Sequence, residues 1–162
     1  MRYGLALALL GAVVCGGCGG NGGTAAAVDM AAPVGKLCAD MRADNWTLPI
    51  VKSSAQGLFK VTLMSSEQPI PIIGDNMTTW TLQVQDASGA MVGGATLSAT
   101  PYMPDHHHGT SILASVKPAA TSGQYTVEPL YFFMAGLWQI TFDITNGASS
   151  DTVVYSLCLT DA

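Results

Sequence analysis

Apolar and polar residues alternate with a period of two along most of the chain, the spacing of strands that bury one face and expose the other. In the clearest run, the apolar side is formed by Trp138, Ile140, Phe142 and Ile144. Runs of this kind, some of them weaker, occupy 46–52, 59–64, 80–85, 94–102, 125–127, 138–145 and 152–159. The pattern predicts seven or eight short strands, and the last two runs should form a hairpin across a turn at Asn146-Gly147.

The segments between the strands are short and rich in Gly, Pro, Asn and Asp, as in the turn Asp86-Ala-Ser-Gly89. Apolar residues do not recur at helical spacing after the first 18 residues, so helices should be absent or limited to single turns. Short strands separated by turn residues are typical of two packed antiparallel sheets. The sequence therefore predicts an all-β fold, an immunoglobulin-like antiparallel β-sandwich.

Residues 1–18 have the organisation of an export signal. Arg2 supplies a positive charge, and an apolar run of eleven residues precedes Cys15-Gly-Gly-Cys18. The run is too short for a transmembrane helix, which needs about 20 residues. A cysteine after small residues at this point is similar to a bacterial lipoprotein processing site, with Cys18 as the lipidated residue or, less well placed after a bulky Val, Cys15. An ordinary secretory signal cut near residues 25–27 is the alternative.

The rest of the chain divides into a tether and one domain. Residues 19–36 are mostly Gly, Ala and short polar residues, which predicts a flexible tether, and 37–162 form the folded part. The protein is then expected to be exported and held on a membrane by a lipid anchor, facing the periplasm or the cell exterior. In that oxidising setting Cys38 and Cys158 should form a disulfide. Two free thiols that bind a metal ion are the alternative.

Charge and motifs exclude several classes of function. Without Arg2 the chain keeps five basic and eleven acidic residues, a formal net charge of −6, and it has no basic patch for nucleic acid. No Gly-rich phosphate loop precedes a helix, so no nucleotide is expected. The residue types of a catalytic triad occur only as near neighbours, Asp105, His108 and Ser111, which cannot easily adopt its geometry. We therefore expect a non-enzymatic protein.

All three histidines of the chain are adjacent, within Tyr102-Met-Pro-Asp-His-His-His-Gly109. If the backbone is locally extended there, His106 and His108 project to one side about 6.6 Å apart, while His107 points away. Two imidazoles at that spacing can converge on one ion. The alternative is a solvated turn that binds nothing.

Three further side chains could complete such a site. Met103 offers a thioether, and Asp105 a carboxylate that could orient a ring or bind directly. Met134 is ambiguous, because methionine is usually core filler unless it lies beside the histidines. Imidazole binds Cu, Zn, Ni or Fe, and a thioether shifts the preference towards Cu(I). Copper is therefore the predicted ion.

Five short motifs follow one another between about residues 58 and 159. They are Gly74-Asp-Asn76 with Trp80, Asp86-Ala-Ser-Gly89, Met103-Pro-Asp-His106 with His108-Gly-Thr110, Gly123-Gln-Tyr125 and Phe133-Met-Ala-Gly-Leu-Trp138. Together they resemble the YtkA-like domains, relatives of FixH. Members are small exported or membrane-attached immunoglobulin-like domains, some of them associated with copper handling or cytochrome oxidase assembly.

The resemblance implies that Met103, His106, His108 and Met134 match recurrent Met and His positions of the family. His107 stands where relatives often carry a small residue, and Ala135 where Pro is frequent.

Two hypotheses follow. In the first, the sandwich binds a copper ion at one end and either buffers it or exchanges it with a copper-donating or copper-receiving protein. The candidate ligands are His106, His108, Met103 and Met134, with His107 and Asp105 as additional candidates. In the second, the domain is a structural or protein-interaction module in which the Met-Pro/His segment is a packed connector or a contact surface.

Overall fold

The structure is a computed structural model of the chain and describes residues 36–66 and 77–160. Within these ranges it contains ten β-strands and no α-helix. The strands are β1 (Lys36–Leu37), β2 (Ile50–Ser53), β3 (Phe59–Ser66), β4 (Thr78–Asp86), β5 (Thr96–Met103), β6 (His108–Gly109), β7 (Ser115–Pro118), β8 (Gln124–Leu130), β9 (Gly136–Asn146) and β10 (Ser149–Thr160). No helix in the described ranges is long and apolar enough to cross a membrane.

The strands form two five-stranded antiparallel sheets. One has the order β1-β10-β9-β5-β6 and the other the order β2-β3-β4-β8-β7. The predicted all-β sandwich is confirmed, with more strands than the seven or eight expected. The additional ones are short: β1 and β6 contain two residues each, and β7 contains four.

The core lies between the sheets and is built from the alternating residues that the pattern singled out. Trp138, Ile140, Phe142 and Ile144 of β9 are all fully buried, as are the apolar residues of β4, and the intervening polar residues are partly or fully exposed. Because successive side chains of a strand point to opposite faces, one sequence pattern fixes which face each strand presents to the core.

Two boundaries differ from the sequence expectation. The strand predicted for 46–52 begins only at Ile50, directly after Pro49, which has no N–H to donate to a ladder. The hairpin between β9 and β10 turns through Gly147 and Ala148, since Asn146 pairs with Ser149. Gly147 has φ +60°, a backbone conformation that glycine adopts without a steric penalty.

We call the end of the sandwich where β5 stops and β9 starts the histidine end. The outer strands reach it as well, because Lys36 pairs with Thr160, and Leu159 pairs with both Leu37 and Gly136. The opposite end carries the connections that join β2 to β3, β4 to β5 and β9 to β10. Both ends of the described chain therefore lie at the histidine end.

The predicted disulfide is present and links Cys38 to Cys158 of β10. Two backbone hydrogen bonds fasten the segment after β1 to the same strand: Cys38 N–H donates to the Cys158 carbonyl over 3.0 Å, and Asp44 N–H to the Ser156 carbonyl over 2.9 Å. The predicted signal with its lipidated Cys18 or Cys15 and nearly all of the tether lie outside the described residues.

Candidate metal site

The histidine segment is a tight turn. Met103, the last residue of β5, pairs with His108, the first of β6, and Pro104 to His107 connect them. The His107 N–H donates to the Met103 carbonyl over 2.9 Å, and His107 has φ +56°, in the left-handed region. The predicted spacing of the histidines assumed an extended backbone. That assumption is therefore wrong for residues 104–107.

The turn nevertheless brings two of the imidazoles together. The ring centroids of His106 and His108 lie 5.7 Å apart, with 34° between the ring planes. An ion about 2.0 to 2.1 Å from an imidazole nitrogen, as for zinc, is about 3.2 Å from the ring centroid, so two rings on one ion can have centroids up to about 6.4 Å apart. The observed separation therefore falls within the range in which both rings can reach a single ion.

The His108 ring is held by its neighbours. It stacks on Phe133 at 5.4 Å between centroids and meets the edge of the buried Trp138 at 6.3 Å. Its Nδ1 lies 3.1 Å from the Gly109 carbonyl oxygen. Since a carbonyl only accepts, this contact is a hydrogen bond in the tautomer that carries its proton on Nδ1, and in that tautomer Nε2 keeps its lone pair. Metal-binding histidines commonly have this arrangement, in which one nitrogen donates to the protein and the other faces the ion.

Both candidate methionines lie at the histidine end. Met103 is fully buried and stands directly opposite His108 in the β5–β6 ladder, so the two side chains project to the same face. Met134 belongs to the loop between β8 and β9 and is 37% exposed. Its carbonyl accepts a 2.9 Å hydrogen bond from Nε1 of Trp138, the residue that touches His108. Met134 thus belongs to the loop whose Phe133 stacks on the His108 ring.

Gly136 makes room for Met103. It has φ +125°, and a Cβ atom at this position would lie 2.8 Å from Cε of Met103. This contact gives a physical reason for the glycine in Met134-Ala-Gly-Leu-Trp138. The motif was recognised in the sequence without a role for Gly136. The contact between Phe133 and His108 was not predicted.

Asp105 is engaged by a residue that sequence reasoning missed. The Arg42 guanidinium donates to both carboxylate oxygens of Asp105, at 2.6 and 2.7 Å, and to both oxygens of Asp40, at 3.1 and 2.8 Å. The hydrogen bonds from Arg42 hold the pKa of Asp105 below its ordinary value, and the bonds with Asp105 and Asp40 raise the pKa of Arg42. Because 63 residues separate the partners, no local pattern could predict the pair.

The side chains that the structure brings together are therefore the imidazoles of His106 and His108, with Met103 opposite His108 in the ladder and Met134 in the loop that carries Phe133. In residues 36–66 and 77–160, no group of three His, Cys, Asp or Glu side chains is placed to hold one ion. His107 is exposed, and Asp105 is paired with Arg42. The Cys38–Cys158 disulfide occupies both thiols of the domain, which excludes the alternative of cysteine ligands in this state and with it a blue-copper site.

Two solved structures of FetP from uropathogenic Escherichia coli are similar to the chain. One is a copper-bound variant, with 9% sequence identity, a TM-score of 0.45, and coverage of 70% of this chain and 96% of that chain. The other is FetP as isolated after expression in the Escherichia coli periplasm, with 12% identity, a TM-score of 0.44 and the same coverage. No curated protein matches the chain significantly.

A family model gives the stronger match. It aligns with residues 54–143, which include most of the two sheets, the histidine turn and the Met134 loop. The aligned part exceeds half of the 162 residues, and it contains all five motifs on which the resemblance was based. The chain belongs to the YtkA-like family.

Proposed function

We propose that this domain binds a copper ion at the histidine end of the sandwich through His106 and His108, with sulfur from Met103 and Met134. The observation that carries the proposal is the pair of imidazoles whose ring centroids lie 5.7 Å apart, with Nδ1 of His108 at 3.1 Å from a carbonyl oxygen, an arrangement in which Nε2 is the nitrogen for the ion. The buried Met103 is the ladder partner of His108, which places its thioether side chain on the same face as the His108 ring.

The donor types favour copper over zinc. A zinc site normally has at least three nitrogen, sulfur anion or carboxylate ligands, and no third donor of this kind converges with the imidazoles in the described ranges. Thioether sulfur is a soft ligand that suits Cu(I). Two imidazoles with one or two thioethers therefore match Cu(I) better than the harder divalent ions.

Accessibility supports a carrier role. His106 is exposed and Met134 is 37% exposed, so incoming ligands of another protein can replace these two donors stepwise. We infer that the protein buffers copper or exchanges it with a copper-donating or copper-receiving partner, without catalysing a reaction. The disulfide fits an oxidising, extracytoplasmic compartment. Attachment to a membrane through a lipid on Cys18 or Cys15 is part of this proposal.

Anaerobic titration with Cu(I) against a chromophoric chelator tests the proposal. The wild-type protein is expected to take up one Cu(I) ion, and the His106→Ala/His108→Ala variant is expected to lose it. His107→Ala is the matched control, since it removes a neighbouring imidazole of the same turn and should keep the affinity. Met134→Leu should weaken binding without affecting folding.

Two results would overturn the proposal. One is a wild-type protein that does not compete for Cu(I) at micromolar concentrations, and the other is a loss of binding that is equal in His107→Ala and the double variant. A wild type without copper binding, combined with a loss of stability in His108→Ala, would instead favour a packed connector in a structural module. A packed connector predicts this loss of stability because the His108 ring stacks on Phe133, and His108→Ala removes that contact.

A further inference from the structure

Arg42 is clamped between two carboxylates beside the candidate site. Its guanidinium forms bidentate hydrogen bonds with Asp40 and with Asp105. The backbone N–H of Arg42 also donates to Asp40 over 2.8 Å. A planar guanidinium matches two carboxylate oxygens at once, which a lysine cannot do. The clamp therefore fixes where both oxygens of Asp105 point.

The segment that carries Arg42 is itself fixed. Its first residue is joined to β10 by the Cys38–Cys158 disulfide, and Asp44 N–H is bonded to the Ser156 carbonyl further along the same strand. Lys52 also holds Asp44 through a 2.6 Å ion pair. Arg42 thus reaches the histidine turn from a segment that is anchored on both sides, and it acts as a fixed partner for Asp105.

Asp105 directly precedes His106, so a free carboxylate here could approach the two imidazoles. Two imidazoles with one carboxylate form a donor set for zinc, iron and other borderline or hard divalent ions. In the described ranges this set does not converge. Both oxygens of Asp105 face the guanidinium instead.

We propose that Arg42 is a specificity-determining residue that holds the Asp105 carboxylate away from the site and so keeps the donor set soft. This inference rests on the proposed copper site. A purely structural role explains the clamp less well, because both side chains are about half exposed, at 52% and 48%, and exposed ion pairs contribute little to stability. Arg42 acts through Asp105 and is not itself a ligand.

The test compares the affinities of Zn²⁺ and Cu(I) in the purified protein by chelator competition. Arg42→Ala releases Asp105 and is expected to raise the Zn²⁺ affinity about twofold to fivefold, because the modest free energy of an exposed ion pair is all that zinc binding by Asp105 has to overcome. The Cu(I) affinity should change much less. The ratio of the two affinities is decisive, because a general loss of structure would weaken both ions together.

Two double variants separate ligation from charge. Arg42→Ala/Asp105→Asn and Arg42→Ala/Asp40→Asn have the same net charge, but only the second retains a free carboxylate next to His106. The zinc gain should disappear in the first and persist in the second. Lys117→Ala, which breaks the exposed ion pair with Glu128, is the control that should leave both affinities unchanged.

A zinc gain that is lost equally in both double variants would show a charge effect and overturn the inference. So would an Arg42→Ala protein whose affinities for both ions fall together. If the wild type binds no Cu(I), the proposed function fails as well. If it binds Cu(I) but Arg42→Ala leaves the ratio unchanged, only the selecting role of Arg42 fails.

Discussion

Replacing Gly136 with alanine tests whether the floor of the candidate site is as tightly packed as the structure indicates. An L-residue at φ +125° is strained by about 1 to 3 kcal/mol. The new Cβ would also lie 2.8 Å from Cε of Met103, which is fully buried and cannot retreat into solvent. Relieving such a contact costs about 1 to 3 kcal/mol, and the low end applies because Cε ends a flexible side chain. We expect Gly136→Ala to lower the free energy of unfolding by about 2 to 4 kcal/mol.

Gly147→Ala is the matched control. Gly147 also has a positive φ, +60°, but a Cβ there meets nothing within 4 Å, so the variant measures backbone strain alone, about 1 to 2 kcal/mol. Urea unfolding with linear extrapolation gives both values. A Met103→Ala substitution, made alone and together with Gly136→Ala, completes a double-mutant cycle. Gly136→Ala should lower the free energy of unfolding by less when the Met103 side chain is truncated.

Two results would refute this reasoning. One is a Gly136→Ala protein that loses no more stability than Gly147→Ala. The other is additivity of Gly136→Ala and Met103→Ala, because residues in contact should be coupled by about 0.5 to 3 kcal/mol. Either result would mean that the methyl group of Met103 moves freely and that Gly136 does not determine its position.

Two further predictions concern stability. Cys38→Ser/Cys158→Ser opens a loop with a sequence separation of 120 and should cost about 4 to 5 kcal/mol in the chain-entropy model, measured as a lower urea midpoint under oxidising conditions. Burial raises the pKa of Asp151, but hydrogen bonds from Ser54 and from three backbone N–H groups lower it by more. Its stabilisation is full above the unfolded-state pKa of about 3.9 and is lost as the pH falls through the lower folded-state pKa, so Asp151→Asn should flatten the acid limb of the stability curve.

The faces of the longer strands could be predicted because alternation is a local property. Every apolar residue of the 138–145 run is buried, as the pattern required. The two-residue strands β1 and β6 are too short to carry a pattern, and β7 is formed by Ser115–Pro118, in which only one residue is a strong strand former. Their pairing depends on the partner strands, which no single window of sequence contains.

The site was predictable to the extent that its donors are adjacent in sequence. The histidines and Met103 fall in one segment, and the family resemblance added Met134. The Arg42–Asp105 ion pair and the His108–Phe133 stack join residues that are distant along the chain, so only the folded arrangement brings them together. A turn was the alternative interpretation of the histidine segment, but the left-handed conformation of His107 was not predicted, since left-handed backbone at a non-glycine residue has only a weak sequence signal.

The pairing of Lys36 with Thr160 has a practical consequence for anyone who purifies this protein. A polyhistidine tag joined near either strand would lie at the same end of the sandwich as His106 and His108 and would compete with them for metal ions. Dyes and affinity handles belong at the opposite end of the sandwich instead. Binding stoichiometries measured with a terminal tag in place would count the tag.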